Sequence, residues 1–420
     1  MTSPITSEQV PALSLAERDR RWALARELMA AEDVDALVAY GERECAGVAP
    51  FAPDVYFSND RPGAIVIFVR GAEPISLVWS PMSVCDHIEA RGGGIATWIE
   101  PSNVRVAKHA GGVVDVLREN GLEKAAVGVL GLEPYPPFHV NPPMPYGMWT
   151  QVLAELPEVT FKPVMPGFIF ATVCLSEEEL ACVRYSAAAG DAMALAMQEA
   201  AVPGVSEAEI YAAGLAAAGR RGASASQISM RTGPGFAALG PPPWVYRPQP
   251  PRTLENGDVI MAAGTCRFAM YETCHQVAVG IGDIHPDIER AVGVARDCYD
   301  AGLEAARPGN TFGDLVGAMC APLDKAGGWR VHPMVHGMNP YAMVCGFGAG
   351  LSSYPRALAY GQLAEVATFA EHMRLAPGMT FAFQPNCVFD GKLASIGGTV
   401  IIGEDGPIEL NPLTARLLRA

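Results

Sequence analysis

Two short stretches constrain this chain more than anything else in it: EAAVPGVS at residues 199–206 and EAARPGNT at 304–311, 105 positions later. In each, a Pro-Gly that ends one helix is followed by a cap residue with an acidic residue three positions on, Ser206 with Glu209 and Thr311 with Asp314, the signature of a new helix start. A long helical pattern precedes each copy and a second one follows it. Strand-rich sequence comes next: GDVIMAAG and HQVAVGIG after the first copy, MTFAFQ and GTVIIG after the second. Duplication of a helix-helix-strands unit is the simplest account. Two such halves are expected to pack their sheets together with helices outside and a cleft between them.

Ahead of this region the sequence reads differently. Ser14 with Glu17 forms a capping-box pattern before LAERDRRWALARELMAAEDV, whose apolar positions recur at helical spacing. Short strand-like runs follow, DALVAY, GAIVIFV, PISLVW and AAVGVLG, interspersed with helical stretches and a proline-rich loop, YPPFHVNPPMPYG. A further capping box, Ser176 with Glu179, opens the long helix EEELACVRYSAAAGDAMALAMQEAA. The expected fold class is α/β (α+β) in two domains: a small α/β domain over residues 1–165 and a duplicated domain over 170–420.

Composition narrows the partners. With 45 acidic against 30 basic residues the net charge is -15, and no Lys/Arg cluster offers a surface for phosphates, which argues against nucleic acid and anionic membrane. The ten cysteines are scattered without a C-x-x-C pair, as expected of free thiols in a reducing cytoplasm. The N-terminal MTSPITSEQVPALSLAERDRRW has no apolar signal core, and no run is long and apolar enough to span a bilayer. The expectation is a cytoplasmic protein.

The helix start LSEEELACVRYSAAAGDA, the turn AVPGVSEAEI, the strand entry LENGDVIMAAG, the HG of VHGM, LAPGMTFAFQP and the final GTVIIGEDGP occur in the order seen in a known group. In these elements the chain resembles the creatinase, prolidase and methionine aminopeptidase family, whose catalytic domain is the duplicated pita-bread fold. The N-terminal RRWALARELMAAEDVDALVAY is similar to the smaller domain accompanying it in creatinases and prolidases. The resemblance places the family's metal ligands at Ala262, Thr273 (or Glu272 with a one-residue deletion), His336, Gln384 and Gly397. A two-metal site needs converging carboxylates. Glu272 is the only carboxylate from Val259 through Gly282, and Asp390, beside Gly391 in a turn pattern, the only one from Ala376 through Gly403. No bound metal or other cofactor is expected on this reading.

Creatinase is the precedent for the fold without metal, so the resemblance implies acid–base chemistry on a small nitrogenous substrate. His336 matches the HG histidine and is the first candidate for the proton carrier, with His332 four residues before it and Met343 where the family's next histidine stands. YETCHQ brings together Tyr271, Glu272, Cys274 and His275. On a strand, Glu272 and Cys274 share one face and Tyr271, Thr273 and His275 the other, so one set faces the pocket. Glu272 or His275 is the candidate assistant and Gln384 an orienting amide. The loop TGPGFAALGPPPWVYRPQPPR lacks the histidine that creatine-type chemistry uses and offers Trp244, Tyr246 and Arg247 as pocket-lining groups. Cys266, Cys274 and Cys387 read as buried, inert thiols. In creatinase-like dimers the small domain of one subunit closes the cleft of the other, which makes Arg61 in FSNDRPGAIVIF a candidate carboxylate contact from the partner of a homodimer.

The resulting expectation is a metal-independent, creatinase-like enzyme that cleaves a C–N bond of a small polar metabolite by hydrolysis or elimination. The alternatives are an inactive binding protein on the same fold and, third, a metal-dependent hydrolase resembling Xaa-Pro peptidases.

Overall fold

The computed structural model describes residues 10–42, 51–134, 141–346, 359–360 and 368–420. Positions 135–140 of the expected proline-rich loop and Cys45 lie outside them. The chain divides into two compact units, one formed by Ala12–Val173 with Pro340–Met343, the other by Cys174–Asn339 with Val344–Ala420.

The first unit contains helices α1 (Leu15–Ala31), α2 (Pro53–Ser58), α3 (Pro81–Gly92), α4 (Ala110–Glu119), α5 (Tyr146–Glu155) and α6 (Met165–Thr172). Its strands are β1 (Ala36–Tyr40), β2 (Ile65–Val69), β3 (Ile75–Val78), β4 (Val104–Val106), β5 (Ala126–Leu130) and β6 (Thr160–Pro163), in the sheet order β4-β3-β2-β1-β5-β6. The central strands β1 and β2 read ALVAY and IVIFV because both faces are covered. The capping box expected at Ser14 forms only in part. Ser14 accepts the Glu17 amide, whereas the Glu17 carboxylate bonds Arg20 and the fully buried Arg21, since a buried guanidinium requires a charged partner.

In the second unit the elements are α7 (Glu177–Ala200), α8 (Glu207–Gly219), β7 (Ser224–Gly233), α9 (Pro243–Tyr246), β8 (Val259–Phe268), β9 (Tyr271–Gly280), α10 (Pro286–Ala305) and α11 (Phe312–Ala326). They continue with β10 (Val335–Gly337), β11 (Cys345–Gly346), β12 (Thr380–Phe383), β13 (Asn386–Phe389), β14 (Lys392–Ser395), β15 (Gly397–Ile402), β16 (Pro407–Glu409) and β17 (Leu417–Arg419). Full capping boxes open α7 at Ser176/Glu179 and α11 at Thr311/Asp314. Ser206 caps α8 through the Ala208 amide instead of Glu209, and Glu207 there accepts from Thr232 and the Arg252 amide.

The two copies of the repeat are thus α7-α8 and α10-α11, each followed by its strands. Their sheets do not stack as two layers. They join edge to edge through β15 and β9, with Gly397 opposite Gln276 and Gly398 opposite His275, in the sheet order β11-β10-β12-β15-β9-β8-β7. Met193, Ala194 and Met197 of α7 pack with Ile260, Ala262, Val277 and Val279 in one apolar core, which covers one face of β8 and β9. The β13-β14 hairpin turns at Asp390-Gly391, both with positive φ (43° and 74°), the backbone an Asp-Gly turn favours. Asp390 is therefore a turn residue, as its setting in the sequence suggests.

Candidate functional site

Strand register decides which side chains meet. Gln276 lies opposite Ala263, and Cys274 opposite Thr265. On this face, away from α7, Gln384 Oε1 accepts from Gln276 Nε2 at 3.2 Å, and Ser395 Oγ donates to Gln276 Oε1 at 2.9 Å. Gln384 Nε2 donates to the Pro333 carbonyl at 3.0 Å, and the Cys274 thiol stands 3.8 Å from Gln384 Oε1. His336 faces the same sheet surface from β10, directly opposite Ala382, which in turn pairs with Thr399. The Thr399 hydroxyl accepts from the Cys274 amide at 2.9 Å. His336, Gln384, Cys274, Gln276 and Ser395 are all buried.

His336 Nδ1 donates to its neighbour's carbonyl, Gly337 O, at 2.8 Å. Burial lowers its pKa below the ordinary imidazole value, while the hydrogen bonds to Gly337 and Gln384 pull it part of the way back. The ring is consequently neutral at neutral pH and able to take up a proton. His332 is held by Asn386, whose amide meets both its Nδ1 and its carbonyl at 3.1 Å. Desolvation lowers its pKa to about 4, so it serves as a neutral neighbour. Burial pushes the Cys274 thiol up to about 12 and Cys266 to about 11, and raises Cys387 through its contact with Cys298 and desolvation. None of these thiols is a nucleophile near neutral pH.

Several candidates are placed elsewhere. His275 and Tyr271 are fully buried on the α7 side. His275 Nε2 bonds Thr273 Oγ1 at 3.1 Å and its Nδ1 lies 3.6 Å from Asp191. The Tyr271 hydroxyl donates to Glu179 of the α7 cap at 2.9 Å. Neither belongs with His336 and Gln384, because alternation along β9 turns odd-numbered residues there toward the helix. Glu272 shares the Cys274 face and is buried, accepting from Ser226 Oγ at 3.2 Å and lying 3.7 Å from Arg267. Trp244 packs edge-on against Tyr211 at 5.5 Å, while Tyr246 and Arg247 are exposed at α9 and its end. Arg61 belongs to the other unit, where it pairs with Asp86 at 2.5 Å.

The same register corrects the ligand positions. Ala262 belongs to the apolar core beneath α7 and Thr273 bonds Ser186 on that side at 3.2 Å. The facing positions are Ala263 and Cys274, which are also eleven apart. At Gly397, with φ +133°, a Cβ would land on the Phe383 carbonyl oxygen, so the backbone itself excludes a side chain. Among the described residues no three His, Cys, Asp or Glu side chains gather so as to hold a metal. Neutral amides, a high-pKa thiol and one imidazole do not fit a pair of hard or borderline dications.

Gln276 and Ser395 escaped the sequence reading. Period-two alternation from Cys274 leads to Gln276, whereas Ser395 comes from a hairpin more than a hundred positions away and has no local signal.

A duplicated helix-helix-strand unit whose inner sheet face presents the HG histidine of β10 and the residue before Pro385 defines a class. The chain belongs to metallopeptidase family M24, whose model matches residues 181–405. In sequence it is 26% identical over 245 residues to the probable dipeptidase PepE of Mycobacterium bovis and of Mycobacterium tuberculosis. That match spans 56% of this chain and 57% of the relatives' length. In structure it is similar to the dipeptidase PepE from Mycobacterium ulcerans, with a TM-score of 0.69 at 18% identity over 97% of this chain and 99% of that one. For the X-Pro aminopeptidase from Thermotoga maritima the TM-score is 0.70 at 16% identity over 95% and 99%. The prolidase from Pyrococcus horikoshii gives 0.68 at 16% over 93% and 97%. At these identities the structural matches establish the fold.

These findings correct the functional expectation. The metal-independent creatinase-like enzyme, hydrolase or lyase, gives way to the peptidase side of the family, because the matching model is that of metallopeptidases and the relatives are dipeptidases, prolidases and X-Pro aminopeptidases. Among the described residues no helix is long and apolar enough to cross a membrane.

Proposed function

We propose that this chain is a hydrolase of small peptides, of the kind its dipeptidase relatives are named for. The observation that carries the reading is the M24 match across residues 181–405, within which the buried imidazole of His336 lies opposite Ala382 and hydrogen-bonds Gln384. Metal ions in such a family activate water and stabilise developing charge. The described residues do not fit them, so the roles below are those of this chain's own side chains.

His336, held neutral by burial and aligned through Gly337 O, accepts a proton from the attacking water and can return it to the leaving amine. Gln384, fixed by Gln276 and Pro333, holds the ring's position. Glu272, on the strand that carries Cys274 and Gln276, anchors that strand to Arg267 of β8 and Ser226 of β7.

The test is amine release from a panel of dipeptides, Xaa-Pro sequences included, with manganese, cobalt or zinc added or chelated. Release from at least one dipeptide is expected, reduced about 100-fold or more in His336→Ala. Absence of release under every condition, or full activity in His336→Ala, overturns the reading.

A further inference from the structure

The first unit contains a cavity of about 300 Å³ between the end of α2 and helix α3, at the lower end of the range for small-molecule sites. Its polar lining consists of Ser58, Asn59, Asp60, Arg61, Asp86, His87 and Thr97. His87 is only 5% exposed, and neither ring nitrogen has a hydrogen-bond partner among the described residues, a costly arrangement for a buried imidazole. Its Nδ1 stands 3.7 Å from Asp60 Oδ2. That gap is too wide for a hydrogen bond between them, yet a single donor nitrogen placed about 2.8 Å from each would satisfy both.

The charges indicate the sign of the missing group. Arg61 is engaged with Asp86 at 2.5 Å, and Asp60 Oδ1 accepts the Arg61 amide at 2.7 Å. Two carboxylates therefore line the cavity against one guanidinium, and among the described residues no Lys or Arg side chain pairs with Asp60 Oδ2. An ammonium carries three donors and no acceptor, which suits a carboxylate oxygen beside an imidazole lone pair. Ala90, Ile95 and Ala96 complete the wall and give a short aliphatic frame something to pack against.

We propose that this cavity binds a small primary amine, its ammonium group bridging Asp60 and His87. The amine is either a free amino acid, whose carboxylate would reach the remaining donors of Arg61, or a simple alkylamine. The site stands independently of the peptidase reading, because its measurement is binding and not turnover.

Isothermal titration calorimetry of the full chain with ethylammonium chloride, L-alanine and sodium acetate tests it. Saturable one-to-one binding of ethylammonium is expected at millimolar concentration, weakened about tenfold or more in Asp60→Asn. Asp60 is 43% exposed on its side chain, so this variant is expected to fold, checked by circular dichroism, and His87→Gln supplies a second variant with the same expected loss. Tighter binding of L-alanine than of ethylammonium assigns the amino acid; equal affinity assigns the simple amine. The proposal is overturned if neither amine binds, if Asp60→Asn and His87→Gln bind as the parent does, if acetate binds as well as the amines, or if the binding is lost in Gln384→Ala.

Discussion

Replacing Gln276 by Leu keeps the volume of the side chain and removes its amide. Gln276 is fully buried; it accepts from Ser395 Oγ at 2.9 Å, donates to Gln384 Oε1 at 3.2 Å and approaches the Cys274 sulfur at 3.0 Å. In Gln276→Leu the Ser395 hydroxyl loses its acceptor, and Gln384 Oε1 loses the Gln276 donor while keeping its bond to the His336 ring and the distant thiol. The stranded Ser395 hydroxyl costs about 1–3 kcal/mol and the lost bond to Gln384 about 0.5–1.5 kcal/mol, and the added apolar burial returns about 1–2 kcal/mol, so a net loss of about 1–2 kcal/mol is expected. Urea unfolding followed by circular dichroism measures it. The double variant Gln276→Leu/Ser395→Ala removes the orphaned hydroxyl and is expected to be less destabilised than the sum of the single changes by about 1 kcal/mol. The same change loosens Gln384, whose hydrogen bond raises the His336 pKa, so the His336 ring followed by NMR is expected to titrate at still lower pH. A cost below about 0.5 kcal/mol, additive with Ser395→Ala, would refute the linked-amide account of this site.

Other outcomes follow from buried groups and close approaches. Burial raises the pKa of Asp54 from 3.8 to about 7, against the lowering effect of the Ala64 and Gly63 amides and Lys108. Its folded-state pKa exceeds its unfolded one, so its contribution is fully present below pH 3.8 and is lost as pH rises through 7. Asp54→Asn is therefore expected to gain stability relative to the parent across that window, by about 4 kcal/mol in total, and a pH-independent difference in urea unfolding would show otherwise. A Cβ at Gly190 would land on the buried His275 ring, so Gly190→Ala is expected to cost about 1–3 kcal/mol, with His275→Ala relieving part of that cost in thermal unfolding. Gly397→Ala meets both a φ of +133° and the Phe383 carbonyl, and is expected to destabilise by about 3 kcal/mol or more; a mild effect would mean that the backbone there can relax.

The repeat was legible because each copy starts its second helix with a local cap: Thr311 forms a full box with Asp314, and Ser206 caps α8 through the Ala208 amide. Where a cap side chain had a competing charge to satisfy, as Glu17 does with Arg20 and Arg21, the local pattern was overridden. His336 and Gln384 were recognisable from the motifs beside them. The grouping of His275 and Tyr271 with them was not sound, since a motif does not say which face of its strand points to a helix.

Sequence alone determined the duplicated architecture, the scarcity of carboxylates around the candidate site and the alternation that separates Glu272 and Cys274 from Thr273 and His275. Those are properties of composition and of a period fixed by backbone geometry. Tertiary structure decided which of the two sets meets Gln384, that Gln276 and Ser395 complete its hydrogen bonds, that Gly397 has no room for a side chain, and that His87 and Asp60 share a cavity. Each depends on register between strands, or contacts between helices and loops, far apart in sequence. Such contacts are set by the packing of whole elements, and no local pattern encodes them.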